Sequence, residues 1–194
     1  PIIIKFIGIE GYGVWIMIQT LLTYSSVMDM GFSPAMTKYT AEYDGHGDHS
    51  KITQIFNTLF VVYVFLCLVL FLIVFVCKGQ IVDSLIRPIH IPKETVSFAL
   101  IISMLVFTFN MIFSVYPSFL SGLQRMDITN KIDSVSSIIK FALSIVFLYL
   151  GWGIKGLALS GGISCIITLT MYIYASKRIA PYLTFNPFLF NLRT

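Results

Sequence analysis

Five long apolar stretches, at 11–28, 55–77, 96–123, 135–150 and 154–175, carry almost no charge. A helix that crosses the hydrocarbon core of a bilayer needs about 20 mainly apolar residues. Each stretch is that long or nearly so, and each is predicted to span a membrane. A transmembrane β-barrel is excluded, because its strands alternate in polarity over segments of about 10 residues. Runs such as Phe60-Val-Val-Tyr-Val-Phe-Leu66 do not alternate. Composition points the same way: 57% of residues are hydrophobic and 11% charged, against about a quarter charged in an ordinary soluble domain. A single water-soluble core of this size cannot hide so much apolar surface. The fold class is therefore all-α, a polytopic transmembrane bundle of five spanning helices.

Five spans put the two ends of the chain on opposite sides of the bilayer. Lys38, Lys51, Arg125, Lys131, Lys177, Arg178 and Arg193 fall on one side. Lys5, Lys78, Arg87, Lys93 and Lys155 fall on the other, and Lys140 lies within a span. Seven cations against five place the C-terminal end in the cytoplasm by the positive-inside rule. The formal net charge of +4 is read as loop charge of this kind, not as nucleic-acid binding. The N-terminal end then lies outside, without the parts of a cleavable signal peptide. A preceding span is expected, and the stretch from Pro181 onward is expected to lead toward another.

The connections predict local structure. Residues 31–54 are polar and long enough for a short interfacial helix around 35–43. Pro92 and Glu94 make a good helix start after the 78–93 loop, and Asn130 is placed to cap the next helix. Gly151-Trp-Gly153 is so short that the last two spans must form an antiparallel hairpin, with Trp152 at the membrane interface. Cys67, Cys77 and Cys165 have no metal-ligand spacing and read as small apolar filler. His46 and His49 are three apart but lie in a glycine-rich loop without a scaffold for a metal. No residue pattern points to a cofactor.

Polar residues inside the spans fall on stripes. These are Gln19, Thr23 and Ser26; Ser103, Asn110, Ser114, Pro117 and Ser121; Asp133, Ser136, Ser137, Lys140 and Ser144; and Gly156, Ser160, Ser164, Thr168 and Tyr172. Helical periodicity puts each set on one face. Such stripes either mediate helix packing through hydrogen bonds of about 1 kcal/mol or line a shared aqueous cavity. Lys140 carries the same choice. It lies about 10 Å past Asp133 along the helix, and it either snorkels toward the cytoplasmic interface or offers a fixed positive charge to an anionic substrate. No Asp or Glu is expected deep in a span, and Asp29 is placed at the cytoplasmic end of the first.

Three local patterns occur in order. The first is Ile7-Gly-Ile-Glu-Gly-Tyr-Gly-Val-Trp15, followed by Asp29-Met-Gly-Phe-Ser-Pro-Ala35, Lys38 and Ala41-Glu42. The second is Leu120-Ser-Gly-Leu-Gln-Arg-Met-Asp127 with Asn130, and the third is Gly151-Trp-Gly-Ile-Lys-Gly-Leu-Ala158. Together they resemble the oligosaccharide-lipid flippases that export O-antigen and capsule repeat units. Those belong to a superfamily shared with multidrug exporters and lipid II flippases. The resemblance covers nearly the whole chain. It implies that residues 1–180 are helices two to six of the N-terminal lobe of a two-lobe transporter, and that 181–194 is a cytoplasmic connector. It implies a location in the bacterial inner membrane and a polyprenyl-diphosphate-linked oligosaccharide as cargo. Polysaccharide polymerase and glycosyltransferases are the neighbouring partners it suggests. Lys140 fits the cationic cavity expected of such a transporter, and Asn110, Ser144 and Ser164 lie on the same stripes. Arg125 is a second candidate for the headgroup, or ordinary positive-inside charge. Gly11, Gly13, Gly31, Gly122 and Gly156 read as shaping turns and close packing.

Two rivals differ in what they need. A drug/cation antiporter of the same superfamily needs an intramembrane carboxylate. A membrane-embedded glycan-modifying enzyme needs a cluster at the membrane edge, for which Asp83, Arg87 and His90 are the candidates.

Overall fold

A computed structural model describes residues 2–25, 29, 31–86 and 90–183. Ser26, Arg87, Arg193 and most of the 181–194 connector therefore lie outside the described residues. The elements are α1 (Ile2–Ser25), α2 (Phe32–Gly45), α3 (His49–Ile81), α4 (Lys93–Phe113), α5 (Val115–Gly122), α6 (Met126–Tyr149) and α7 (Gly153–Ile179), with a π-helical turn at Val82–Ile86 after α3. No strand occurs among the described residues.

Five segments are long and apolar enough to cross a membrane: Ile3–Ser25, His49–Ser84, Lys93–Gly122, Met126–Tyr149 and Gly153–Ile179. The bundle itself buries little of them, from 11% of the most apolar window of α6 to 39% of that of α7. The rest, including Phe65, Val76, Ile138 and Phe141, faces outward. So wide an apolar surface needs lipid as its solvent.

Local chemistry explains most boundaries. Asp48 caps α3 by accepting from Lys51 N–H at 3.2 Å, and that bond holds its carboxyl below the usual range. Pro92 precedes α4, with Glu94 in the first turn, where a carboxylate meets the positive end of the helix. The Gly151–Gly153 turn closes α6 and α7 into the expected hairpin, with φ of 77° at Gly151 and 53° at Gly153. Gly156 sits where a Cβ would lie 2.8 Å from Phe147 Cβ, so the two helices touch closely.

Three expectations are corrected. α6 begins at Met126, not near Val135, so Asn130 lies inside the helix and caps nothing. The polar first turns are helical because Asp127 complements the helix start and Thr129 and Ile132 are buried. Asp133 consequently stands two turns inside a span. The helix at 35–43 exists, but it does not lie across the end of the bundle. Thr37 Oγ1 donates to Ser118 O at 3.2 Å, Ser33 meets Ser114, and Gly122 faces Thr40. This rising register makes α2 run alongside α5 in the same direction. Finally, a Cβ on Gly13 would meet nothing within 4 Å, so that glycine serves no close packing.

In span three the hydrogen-bond ladder is interrupted at Ser114, between α4 and α5, although Ser114 keeps helical φ and ψ of −59° and −17°. Pro117 has no N–H for the Phe113 carbonyl, which opens the helix there. Two apolar clusters flank the middle of the bundle. One joins Met36, Phe56, Tyr63, Val115 and Phe119; the other joins Val14, Ile18, Val96, Leu100 and Ile154.

Candidate functional site

Residues packed on both clusters border a hollow of about 320 Å³, among them Trp15, Phe107 and Ala158. Its polar wall comes from three helices: Gln19 and Thr23 of α1, Ser103 and Asn110 of α4, and Lys140 of α6. A second hollow of about 250 Å³ adjoins it, because Val106, Asn110, Lys140 and Gly161 border both. Asp133, Ser136, Ser137, Ser164 and Thr168 complete the second. Parts of all four polar stripes therefore share one cavity.

Lys140 stands 14 residues into the 24-residue α6, about 21 Å from its start. That is near mid-helix. Its side chain is exposed toward the hollows, and among the described residues it makes no ion pair. Asn110 borders both hollows, its amide donating to Val106 O of its own helix at 2.9 Å. Ser164 is buried on the wall of the second hollow and donates to Gly161 O at 3.0 Å. Ser103 is 5% exposed, and its Oγ has no partner among the described residues. It is an unsatisfied hydroxyl on the wall of the first hollow.

Two residues of the sequence-based set stand elsewhere. Ser144 and Ser160 face each other at 2.9 Å, and Ser144 also donates to Lys140 O at 2.8 Å. Ser144 thus joins α6 to α7 and borders neither hollow. Arg125 precedes α6 and pairs with Asp127 at 3.3 Å in an exposed position. Such a pair contributes little, and Arg125 does not reach the cavity lining.

Trp15 borders the first hollow although it lies on none of the polar stripes, and Asp133, which does lie on one, was not among the candidate site residues. Trp15, Gln19 and Thr23 are four apart, and that spacing carried the signal. Tyr172 OH donates to Asp133 Oδ1 at 2.6 Å, holding the carboxylate against α7. Removing the hydroxyl in Tyr172→Phe is expected to destabilise the protein by about 1.5 kcal/mol, the low end for a hydrogen bond to a charged group, because Asp133 is exposed. Thermal unfolding of purified variant and wild type checks this. An unchanged midpoint means that the bond contributes nothing to stability.

The membrane-edge cluster is dispersed. Asp83 pairs with Lys93 at 2.6 Å, both exposed, and His90 N–H donates to Glu10 Oε1 at 2.8 Å. Arg87 lies outside the described residues. His49 stacks on Tyr182 with ring centroids 4.0 Å apart.

The two hollows bring together a cation, a carboxyl, amides, hydroxyls and an indole. A family model described as polysaccharide biosynthesis protein matches residues 1–193. The chain belongs to that family. No curated protein and no solved structure matches it. The chain is thus a member of the family with five helices, among the described residues, long and apolar enough to cross a membrane.

Proposed function

We propose that this chain is the substrate-binding part of a flippase that carries a polyprenyl-diphosphate-linked oligosaccharide across the bacterial inner membrane. The observation that carries the reading is Lys140, an ammonium without an ion pair among the described residues, near mid-span in a polar cavity. A charge at that depth costs about 2.5–3.5 kcal/mol on the insertion scale, and an anionic cargo offsets that penalty. The diphosphate would sit against Lys140 and the Ser103 hydroxyl. Sugar hydroxyls would bond to Gln19 and Asn110, and a pyranose face would stack on Trp15. The lipid tail would stay in the bilayer while the headgroup passes. Residues 1–180 would form one lobe, and rocking against a second would open the cavity to each leaflet in turn.

The antiporter reading gains one specific observation, since the Asp133 carboxyl borders the second hollow. The family match favours the glycan. Deleting the gene and labelling lipid-linked glycan from each side of the membrane separates the two. Glycan trapped on the cytoplasmic leaflet supports the flippase. An unchanged glycan distribution with altered drug sensitivity contradicts it.

A further inference from the structure

We propose that the second hollow is a glycan subsite for sugars that bring hydrogen-bond donors and no negative charge, with Asp133 setting that choice. The inference rests on the flippase reading and narrows its cargo: a sugar near the diphosphate is neutral, not a uronic or other acidic sugar. Hydrogen-bond polarity on the cavity wall carries it. A serine or threonine hydroxyl has one hydrogen to donate and two lone pairs with which to accept. Ser137 Oγ donates its hydrogen to Asp133 O at 2.8 Å, Ser164 Oγ to Gly161 O at 3.0 Å and Thr168 Oγ1 to Ser164 O at 2.8 Å. All three border the second hollow, and what they keep for a ligand is lone pairs. Asp133 borders it too, with Oδ1 accepting from Tyr172 OH at 2.6 Å. Its carboxylate adds acceptors only, and among the described residues it makes no ion pair. Ser136 is the exception on this wall, its Oγ buried and without a partner among the described residues.

The first hollow has the opposite polarity. Ser103 Oγ is buried on its wall with no partner among the described residues, so its hydrogen is free to donate. The Gln19 amide borders the same space, and Lys140 and Asn110 stand where the two hollows meet. Asn110 spends one amide hydrogen on Val106 O at 2.9 Å and keeps the other. Gly161 also borders both hollows, and a Cβ there would meet nothing within 4 Å, so no side chain closes the junction at that point. Donors therefore gather about Lys140, where a diphosphate supplies acceptors. Acceptors gather about Asp133, two helical turns or about 10 Å away on α6. A neutral sugar meets that second set with hydroxyl or N-acetyl N–H donors. A sugar carboxylate would meet a like charge and lone pairs, with nothing to offset the water that both lose. Lys140, the cation on this wall, is already engaged by the diphosphate.

The test measures binding of short-chain prenyl diphosphates to the intact gene product in detergent. One probe has no sugar and one carries a neutral hexose disaccharide. Two more carry that disaccharide with its first or its second sugar as a uronic acid. At least one acidic probe is expected to bind wild type about tenfold more weakly than the neutral one, the modest end of what juxtaposed like charges cost. Asp133→Asn keeps an oxygen for Tyr172 and removes the charge, so it is expected to close that gap. Thr168→Val keeps the shape and removes an acceptor, and it is expected to weaken the neutral disaccharide relative to the sugar-free probe. Acidic and neutral probes that bind wild type alike overturn the proposal, as does a gap that persists in Asp133→Asn. Should Asp133→Asn not fold, a wild-type ratio of neutral to sugar-free binding in Thr168→Val overturns it. The flippase reading has its own readout in the sugar-free probe. Binding that depends on Lys140 without any gap between neutral and acidic sugars strikes this inference alone. A sugar-free probe that binds wild type no better than Lys140→Ala strikes the flippase reading, and this inference with it.

Discussion

Lys140→Ala is expected to abolish export of the lipid-linked glycan while the protein accumulates at the wild-type level. The two halves of that result have separate causes. Among the described residues the ammonium makes no ion pair, and its side chain is exposed to the hollows, so its removal leaves no buried partner stranded. Removing an intramembrane charge also lifts an insertion penalty. Cargo binding loses a charge-assisted contact of about 2–3 kcal/mol, which is about 30- to 150-fold in affinity. Lys140→Arg keeps the charge and is expected to retain part of the export. Complementation of a deletion strain, with protein level measured in the same membranes, checks both variants. Full export with Lys140→Ala at normal level removes the lysine from the site.

Gly122→Ala is expected to prevent normal accumulation of the protein, although the residue borders neither hollow of the candidate site. A Cβ there would lie 2.5 Å from Thr40 Cβ and 2.8 Å from the Thr37 carbonyl oxygen. Neither is the end of a flexible side chain, so α2 and α5 must separate. The Thr37–Ser118 bond, 3.2 Å long, lies one turn away and is lost with them. Overpacking of this kind destabilises by about 1–3 kcal/mol, and a larger side chain by more. Gly13→Ala is the control, since its Cβ would meet nothing and alanine favours helix. Protein level and unfolding midpoint distinguish the pair. Equal behaviour of the two variants means that the α2–α5 contact is looser than the glycine geometry requires.

The spans were legible because five apolar runs have no other way to be buried. The hairpin was legible because three residues permit no alternative. The start of α6 was not, since its first two turns are polar and are helical through Thr129 and Ile132, which are buried in tertiary contact. The direction of α2 was hidden for another reason. Thr37 meets Ser118, 81 residues later, and nothing local encodes such a pairing. The same applies to Asp29, whose partner Tyr63 sits inside an apolar run. On the cavity wall, helical spacing found Gln19, Asn110, Lys140 and Ser164. It also gathered Ser144, because a stripe does not reveal whether a neighbouring helix or a hollow lies opposite. Ser144 faces Ser160.

The central claim is that the cavity around Lys140 carries lipid-linked glycan from one leaflet to the other. The direct measurement reconstitutes the intact gene product into vesicles whose labelled lipid-linked glycan starts in one leaflet, with a membrane-impermeant probe reading what has crossed. Crossing with wild type, and none with Lys140→Ala or with protein-free vesicles, is the predicted result. Equal crossing in all three contradicts the claim.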